Sequence, residues 1–147
     1  MITLRETVEI DRPLEEVFSY VVNVENAPKW QPAVIEVKRI TDGPIGVGTR
    51  FKEVAKMMGR RVDTICEITE LETNKKFAFK GTSSGPFEYE STYTLEPKGN
   101  GTSISIVGNF RTKGFWRLLE PFIKGEVAKE SSQELAAMKK AIESRSV

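Results

Sequence analysis

The chain contains no histidine. That removes the commonest general base near neutral pH and the commonest zinc ligand, and it rules out a Ser-His-Asp or Cys-His pair within the chain. Acid–base chemistry would have to come from a carboxylate, lysine, tyrosine or cysteine with a shifted pKa. Cys66 is the only cysteine, so no internal disulfide forms. No window approaches the ~18 consecutive apolar residues of a transmembrane helix. The start, "MITLRETVEI", alternates where a secretion signal would carry an apolar run. A soluble, cytoplasmic protein is therefore expected. Neither sign of charge is in excess: 22 basic residues meet 21 acidic ones, for a net charge of +1. Nucleic-acid binding needs a basic stripe, and none is present. No motif calls for a metal or a cofactor.

What the chain does have is length for one core and a clear change of period. Its 147 residues suit a single domain, 1–147, with no linker, repeat or low-complexity segment. Thr3 to Ile10 alternates as a strand, with Leu4, Thr7 or Val8, and Ile10 as its inward set. Pro13 then opens "PLEEVFSYVVN", where a missing N–H is harmless and Glu15 and Glu16 favour the helix start. Leu14, Val17, Phe18, Val21 and Val22 make one apolar face. "VENAPKWQPAV" reads as a second short helical piece, cut by Pro28 and Pro32 and anchored by Trp30. Six segments of period two follow: Val34–Thr41, Thr49–Met57, Arg60–Glu70, Lys76–Ser83, Phe87–Glu96 and Thr102–Thr112. Their connections are hairpin-length, which implies an antiparallel meander. A long helix over Phe115–Ser144 ends the chain, with Pro121 kinking it or splitting off its first turn. Its expected stripe is Phe115, Leu118, Phe122, Gly125, Ala128, Ser131, Leu135, Met138 and Ile142.

The stretch "TDGPIGVGTRFKEV" has three glycines in six residues and so invites comparison with phosphate-cradling loops. Such loops lead into a helix N-terminus. Here the glycines lead into "TRFKEV", which alternates as a strand, so they are read as turn residues.

The order strand, two short helices, six-stranded meander and long terminal helix resembles the START-like (SRPBCC, Bet v 1-like) superfamily with the helix-grip fold. It is most similar to the polyketide cyclase/dehydrase and lipid-transport group. The resemblance rests on "IDRPLEEVFSYVVNVENAPKWQP", "GVGTRFKEV", "FKGTSSGPFEYESTYTLEP" and the helix after "GNFRTKGF". It implies an α+β fold whose sheet curls round the terminal helix and leaves an apolar cavity. Members of that superfamily include carriers, receptors, aromatase/cyclases and interaction modules, so the fold alone leaves function open.

Strand parity proposes what lines a cavity. On Thr49–Met57 the more apolar parity is Phe51, Glu53, Ala55 and Met57, because Arg50, Lys52 and Lys56 belong in water. On the next strand Val62, Thr64, Cys66 and Ile68 face in. Phe79, Phe87, Tyr89, Ser91 and Tyr93 follow, then Ile106 and Phe110, with Phe122, Gly125 and Ala128 on the helix. Glu53 has two readings. It is an acceptor for a ligand hydroxyl or a general acid/base, with Tyr93 as the other weak catalytic candidate. Alternatively it forms a rim salt bridge with an arginine such as Arg60 or Arg111, or the parity assignment is mistaken, and these are the plainer explanations. Cys66 reads as a small buried hydrophobe.

The turns "MMGRR", "SSGPF" and "TKGFW" share one end of the meander, and the resemblance places the ligand entrance there. Met57, Met58, Gly85 and Pro86 are its candidate gate. Three functions compete: a carrier or sensor of a small hydrophobic molecule, a cyclase- or dehydratase-like enzyme, and an interaction module. The third draws on "NFRTKGFWRLLEPFIKG", whose Phe110, Phe115, Trp116 and Phe122 either seat the helix or make transient membrane contact. The carrier is the preferred reading.

Overall fold

β1 (Ile2–Ile10) alternates strictly, with Ile2, Leu4, Glu6, Val8 and Ile10 on one face and exposed polar residues on the other. The computed structural model containing it describes residues 2–31, 33–57, 59–83, 87–112 and 114–144. α1 (Leu14–Val22) starts directly after Pro13 and buries Val17, Phe18, Tyr20 and Val21. A 3-10 turn over Val24–Lys29 contains Pro28 and delivers Trp30 into the core. The remaining strands are β2 (Val34–Arg39), β3 (Arg50–Met57), β4 (Arg60–Glu72), β5 (Lys76–Ser83), β6 (Phe87–Lys98) and β7 (Gly101–Thr112). A 3-10 turn, Gly114–Leu119, precedes α2 (Glu120–Glu143). Pro121 thus sits in the first turn of α2, and the expected split of the terminal helix falls just before it.

All seven strands form one antiparallel sheet in the order β1-β7-β6-β5-β4-β3-β2. The six later strands are the expected meander, and β1 closes it by pairing along β7 from Ile2↔Phe110 to Ile10↔Thr102. The glycine-rich loop joins β2 to β3, with Gly43 and Gly48 at φ of 94° and 91°. On β3 and β4 the charge alternation reports the faces faithfully: Phe51, Cys66 and Ile68 are buried, while Arg50, Lys56 and Arg61 are exposed. A bulge between Ile68 and Glu70 then shifts the parity, which turns Leu71 inward beyond it.

The core has two parts. The larger gathers α1, Trp30, the far halves of the strands and the C-terminal half of α2, with Met138 and Ile142 fully buried. The smaller holds Ile2, Phe87 and Ile123, with Leu4, Phe110 and Val127 packed against it. The stripe that α2 buries is Ile123, Val127, Ser131, Leu135, Met138 and Ile142. Phe122, expected on that stripe, is 82% exposed, and Leu118 in the preceding turn is 78% exposed. The reason is rotational. At ~100° per residue, steps of exactly three residues drift backwards around the helix, and Phe122 ends ~160° away from Met138. Counting back from Met138 mainly in fours leads instead to Ile123.

Candidate ligand cavity

Between the two core clusters the sheet and α2 enclose a cavity of about 210 Å³. Leu4, Phe87, Phe110 and Val127 wall it from the smaller cluster, and Trp30, Phe79, Tyr93, Ile106 and Leu135 from the larger. Glu53, Thr64, Tyr89 and Ser91 place polar atoms among these apolar walls. A shallower cleft adjoins it, lined by Ala33, Lys56, Glu130, Gln133 and Glu134. Four of those five residues also line the cavity, so the two spaces meet between β3 and α2.

The polar centre of the sheet wall is a three-residue cluster. Tyr89 donates its hydroxyl to Glu53 Oε2 at 3.2 Å, and Cys66 Sγ lies 3.0 Å from Tyr89 Oη and 3.9 Å from Glu53 Oε2. These residues come from β6, β3 and β4, with β5 running between Tyr89 and the other two. Gly81 makes the reach possible. It stands opposite both Cys66 and Tyr89 in register. A Cβ there would lie 2.5 Å from the Tyr89 ring and 2.9 Å from Thr64 Cγ2, closer than real contacts allow. The bare backbone of Gly81 therefore lets the tyrosine ring lie across its strand. Phe79 braces the same ring edge-on, with centroids 6.0 Å apart and planes at 88°.

Burial sets the protonation of this cluster. Desolvation raises the Glu53 carboxyl above its ordinary pKa, against the hydrogen bonds from Tyr89 and Cys66 that favour its ionised form. Desolvation, followed by the nearby Glu53 charge, pushes the Cys66 thiol up to about 12, so it is a neutral S–H and no nucleophile. Tyr89 and Tyr93 are likewise raised, chiefly by burial.

The expected site residues divide cleanly. Glu53, Val62, Thr64, Phe79, Phe87, Tyr89, Ser91, Tyr93, Ile106 and Phe110 all stand on the cavity wall. Phe51 and Cys66 lie behind it: Phe51 is 2% exposed and borders an adjoining 30 Å³ pocket under α1 that shares Trp30, Glu53, Phe79 and Tyr93 with the wall, and Cys66 is fully buried beneath Tyr89. Phe122 and Gly125 face solvent, and Ala128 is outside the wall, all three by the rotational error described above. Glu53 hydrogen-bonds Tyr89 and Cys66, which replaces the expected salt bridge to Arg60 or Arg111. Of the expected gate, Met58, Gly85 and Pro86 lie outside the described residues, as do the side chains of Met57, Phe115 and Trp116.

Strand parity did not single out Gly81 or four further carboxylates. Glu6 on β1, Glu90 on β6 and Glu130 and Glu134 on α2 line the cavity. Burial, then the charges of Glu130, Glu53 and Glu6, raises Glu134 to about 8. Burial and Glu126 also raise Glu130. The signal for Glu6 was available, because it shares parity with Leu4, Val8 and Ile10. That for Glu134 was its spacing of four before Met138.

A seven-stranded antiparallel sheet closed over a long C-terminal helix, with a cavity between them, defines the helix-grip class. The chain belongs to the polyketide cyclase/dehydrase and lipid transport family, whose model matches residues 1–143. No curated protein matches it. Among solved structures it is similar to TTHA0849 from Thermus thermophilus, with a TM-score of 0.81, 22% identity, and 95% and 96% of the two chains covered. It is similar to a START superfamily protein from Mycobacterium smegmatis, with a TM-score of 0.78, 18% identity, and 96% and 97% covered. It is also similar to the ZhuI aromatase/cyclase of Streptomyces sp. R1128, with a TM-score of 0.80, 13% identity, and 96% and 93% covered. At these identities the likeness is one of fold.

Proposed function

We propose that the protein binds a small hydrophobic molecule in the cavity between its sheet and α2. The observation that carries this is the cavity of about 210 Å³ walled by aromatic and aliphatic side chains of both core clusters, with a few hydroxyls and carboxyls among them. Pockets that hold small molecules have this makeup. Membership of a family described by cyclase, dehydrase and lipid transport supports it. The test is native mass spectrometry of freshly purified protein, followed by organic extraction. A stoichiometric hydrophobic compound supports binding. An empty cavity that also refuses fatty acids, fatty alcohols, amines and aromatic polyketides sinks the proposal.

An enzymatic reading draws on the Tyr89–Glu53 hydrogen bond beside the cavity and on the Glu53 carboxyl, which burial raises in the direction that suits a general acid. One structural neighbour is an aromatase/cyclase by name. In this reading Glu53 and Tyr89 protonate or orient an oxygen of the substrate. Incubation with a poly-β-keto substrate decides it: turnover lost in Glu53→Gln but kept in Phe122→Ser supports catalysis. A membrane-contact reading rests on the exposure of Leu118 and Phe122 beside Arg117 and Lys124. Vesicle co-sedimentation tests that one.

A further inference from the structure

The cavity wall is predominantly acidic. Glu6, Glu53, Glu90, Glu130 and Glu134 line it from four elements, β1, β3, β6 and α2, with Glu90 at its exposed edge. Lys56 is the only cationic side chain among the described lining residues, and it is exposed on the outward parity of β3. Among the described residues, Glu134 has neither an ion-pair nor a hydrogen-bond partner. A carboxyl left in that state answers by holding its proton, which is the physical content of its raised pKa.

The second observation is aromatic. Trp30, Phe79, Tyr89 and Tyr93 line the same space, and their ring faces attract cations. No three acidic or sulfur side chains among the described residues converge closely enough to hold a metal ion. A positive charge on an organic group can instead rest against the rings.

We propose that the cavity prefers a hydrophobic molecule carrying a basic nitrogen, an alkyl or aryl amine whose ammonium sits against Glu134 and Glu53 and whose apolar body lies among Phe79, Ile106 and Phe110. The inference rests on the cavity being a ligand site at all, and it specifies that ligand's charge. A carboxylate ligand such as a fatty acid adds another negative charge to the wall. A neutral ligand leaves Glu134 without a partner. An ammonium gives Glu134 a partner and restores its ordinary acidity, so binding expels a proton. The groups facing Glu134 are Glu6 on β1, Glu53 on β3, Tyr93 on β6 and Glu130 on α2 itself, with Lys56 of β3 beside it in the adjoining cleft. Tyr93, with its raised pKa, stays neutral over the same range. Amine affinity therefore rises with pH through the titration of Glu134, near 8, until the amine itself loses its charge at ~10.

Isothermal titration calorimetry at pH 8 with octylamine, octanol and octanoate tests this on one chain length. Octylamine should bind about tenfold tighter than octanol, with octanoate weakest. Repeating the amine titration in two buffers of different ionisation enthalpy should show protons released. Glu134→Gln, which keeps the shape, should narrow the amine-to-octanol ratio, and Glu53→Gln serves where that variant misfolds. Octanol binding with no preference for the amine, or octanoate binding best, overturns the charge preference while leaving the cavity as a ligand site. Failure of all three probes overturns both.

Discussion

At its C-terminal end α2 buries Met138 and Ile142 completely, and a polar clasp ties it to the end of β1. Glu143 Oε2 accepts from the Asp11 amide at 2.8 Å and from Lys139 Nζ at 2.7 Å. Lys139 also donates to the Glu9 carbonyl at 2.7 Å, and Arg12 donates to the Glu143 carbonyl. At its N-terminal end the same helix buries Ile123 over a small cluster, and Glu120 accepts from the Thr112 hydroxyl at 2.8 Å. Phe122 and Leu118 meanwhile point into solvent. One helix therefore does two jobs. Its end fills a core, and its beginning and middle roof a space. The difference teaches that the cavity exists because α2 stops contributing bulk where Val127, Glu130, Ser131 and Glu134 replace large apolar residues.

The sharpest way to break that contrast is to hollow out the filled end. Met138→Ala should cost ~2–5 kcal/mol, since a fully buried side chain leaves a cavity behind, and urea denaturation reads it directly. A cost below ~1 kcal/mol would mean that this end is as loose as the other. Next in size is Gly81→Ala. Its Cβ must displace the Tyr89 ring, so a loss of ~1–3 kcal/mol is expected, together with a changed environment for Glu53. A crystal structure with Tyr89 unmoved would refute the account of Gly81.

Glu134→Gln should act through pH. The folded-state pKa of Glu134, about 8, lies above its ordinary 4.5, so the folded chain holds the extra proton between those values. Stability contributed by this group is thus intact below pH 4.5 and falls as pH rises towards 8. The glutamine variant should gain on the wild type with rising pH, by on the order of 10 °C in Tm above that window, and match it in acid. Equal Tm differences at both extremes would remove the burial argument. The smallest effect belongs to the exposed end. Phe122→Ser should change stability by less than ~0.5 kcal/mol, and thermal unfolding checks it. A larger loss would show that Phe122 packs against something after all.

Much of this arrangement was legible in the order of the residues, and the failures have physical causes. β3 and β4 were readable because Arg50, Lys52 and Lys56 mark the water face, so Glu53 had to point inward. Parity says nothing about lateral reach. Tyr89 crosses a whole strand to meet Glu53, and only the steric demand at Gly81 reveals it. The start of α2 was misread because apolar residues occupy both of its faces there, and a chain of threes through Phe122, Gly125 and Ala128 follows no fixed side of a helix. Glu130 and Glu134 resemble an ordinary solvated face, and only the space beneath them makes them part of a wall.

The pairing of β1 with β7 has a consequence in time. β1 has no other strand neighbour in the sheet. Ile2 to Ile10 leaves the ribosome about ninety residues before Gly101 to Thr112. At ~5–20 residues per second, that is a wait of roughly 5–20 s. For all that interval the first strand, with its alternating apolar residues, is a bare edge with no mate, and strand edges of that kind recruit other chains. The nascent protein is thus exposed to aggregation through β1 until β7 appears, and a chaperone would find a binding segment in that strand.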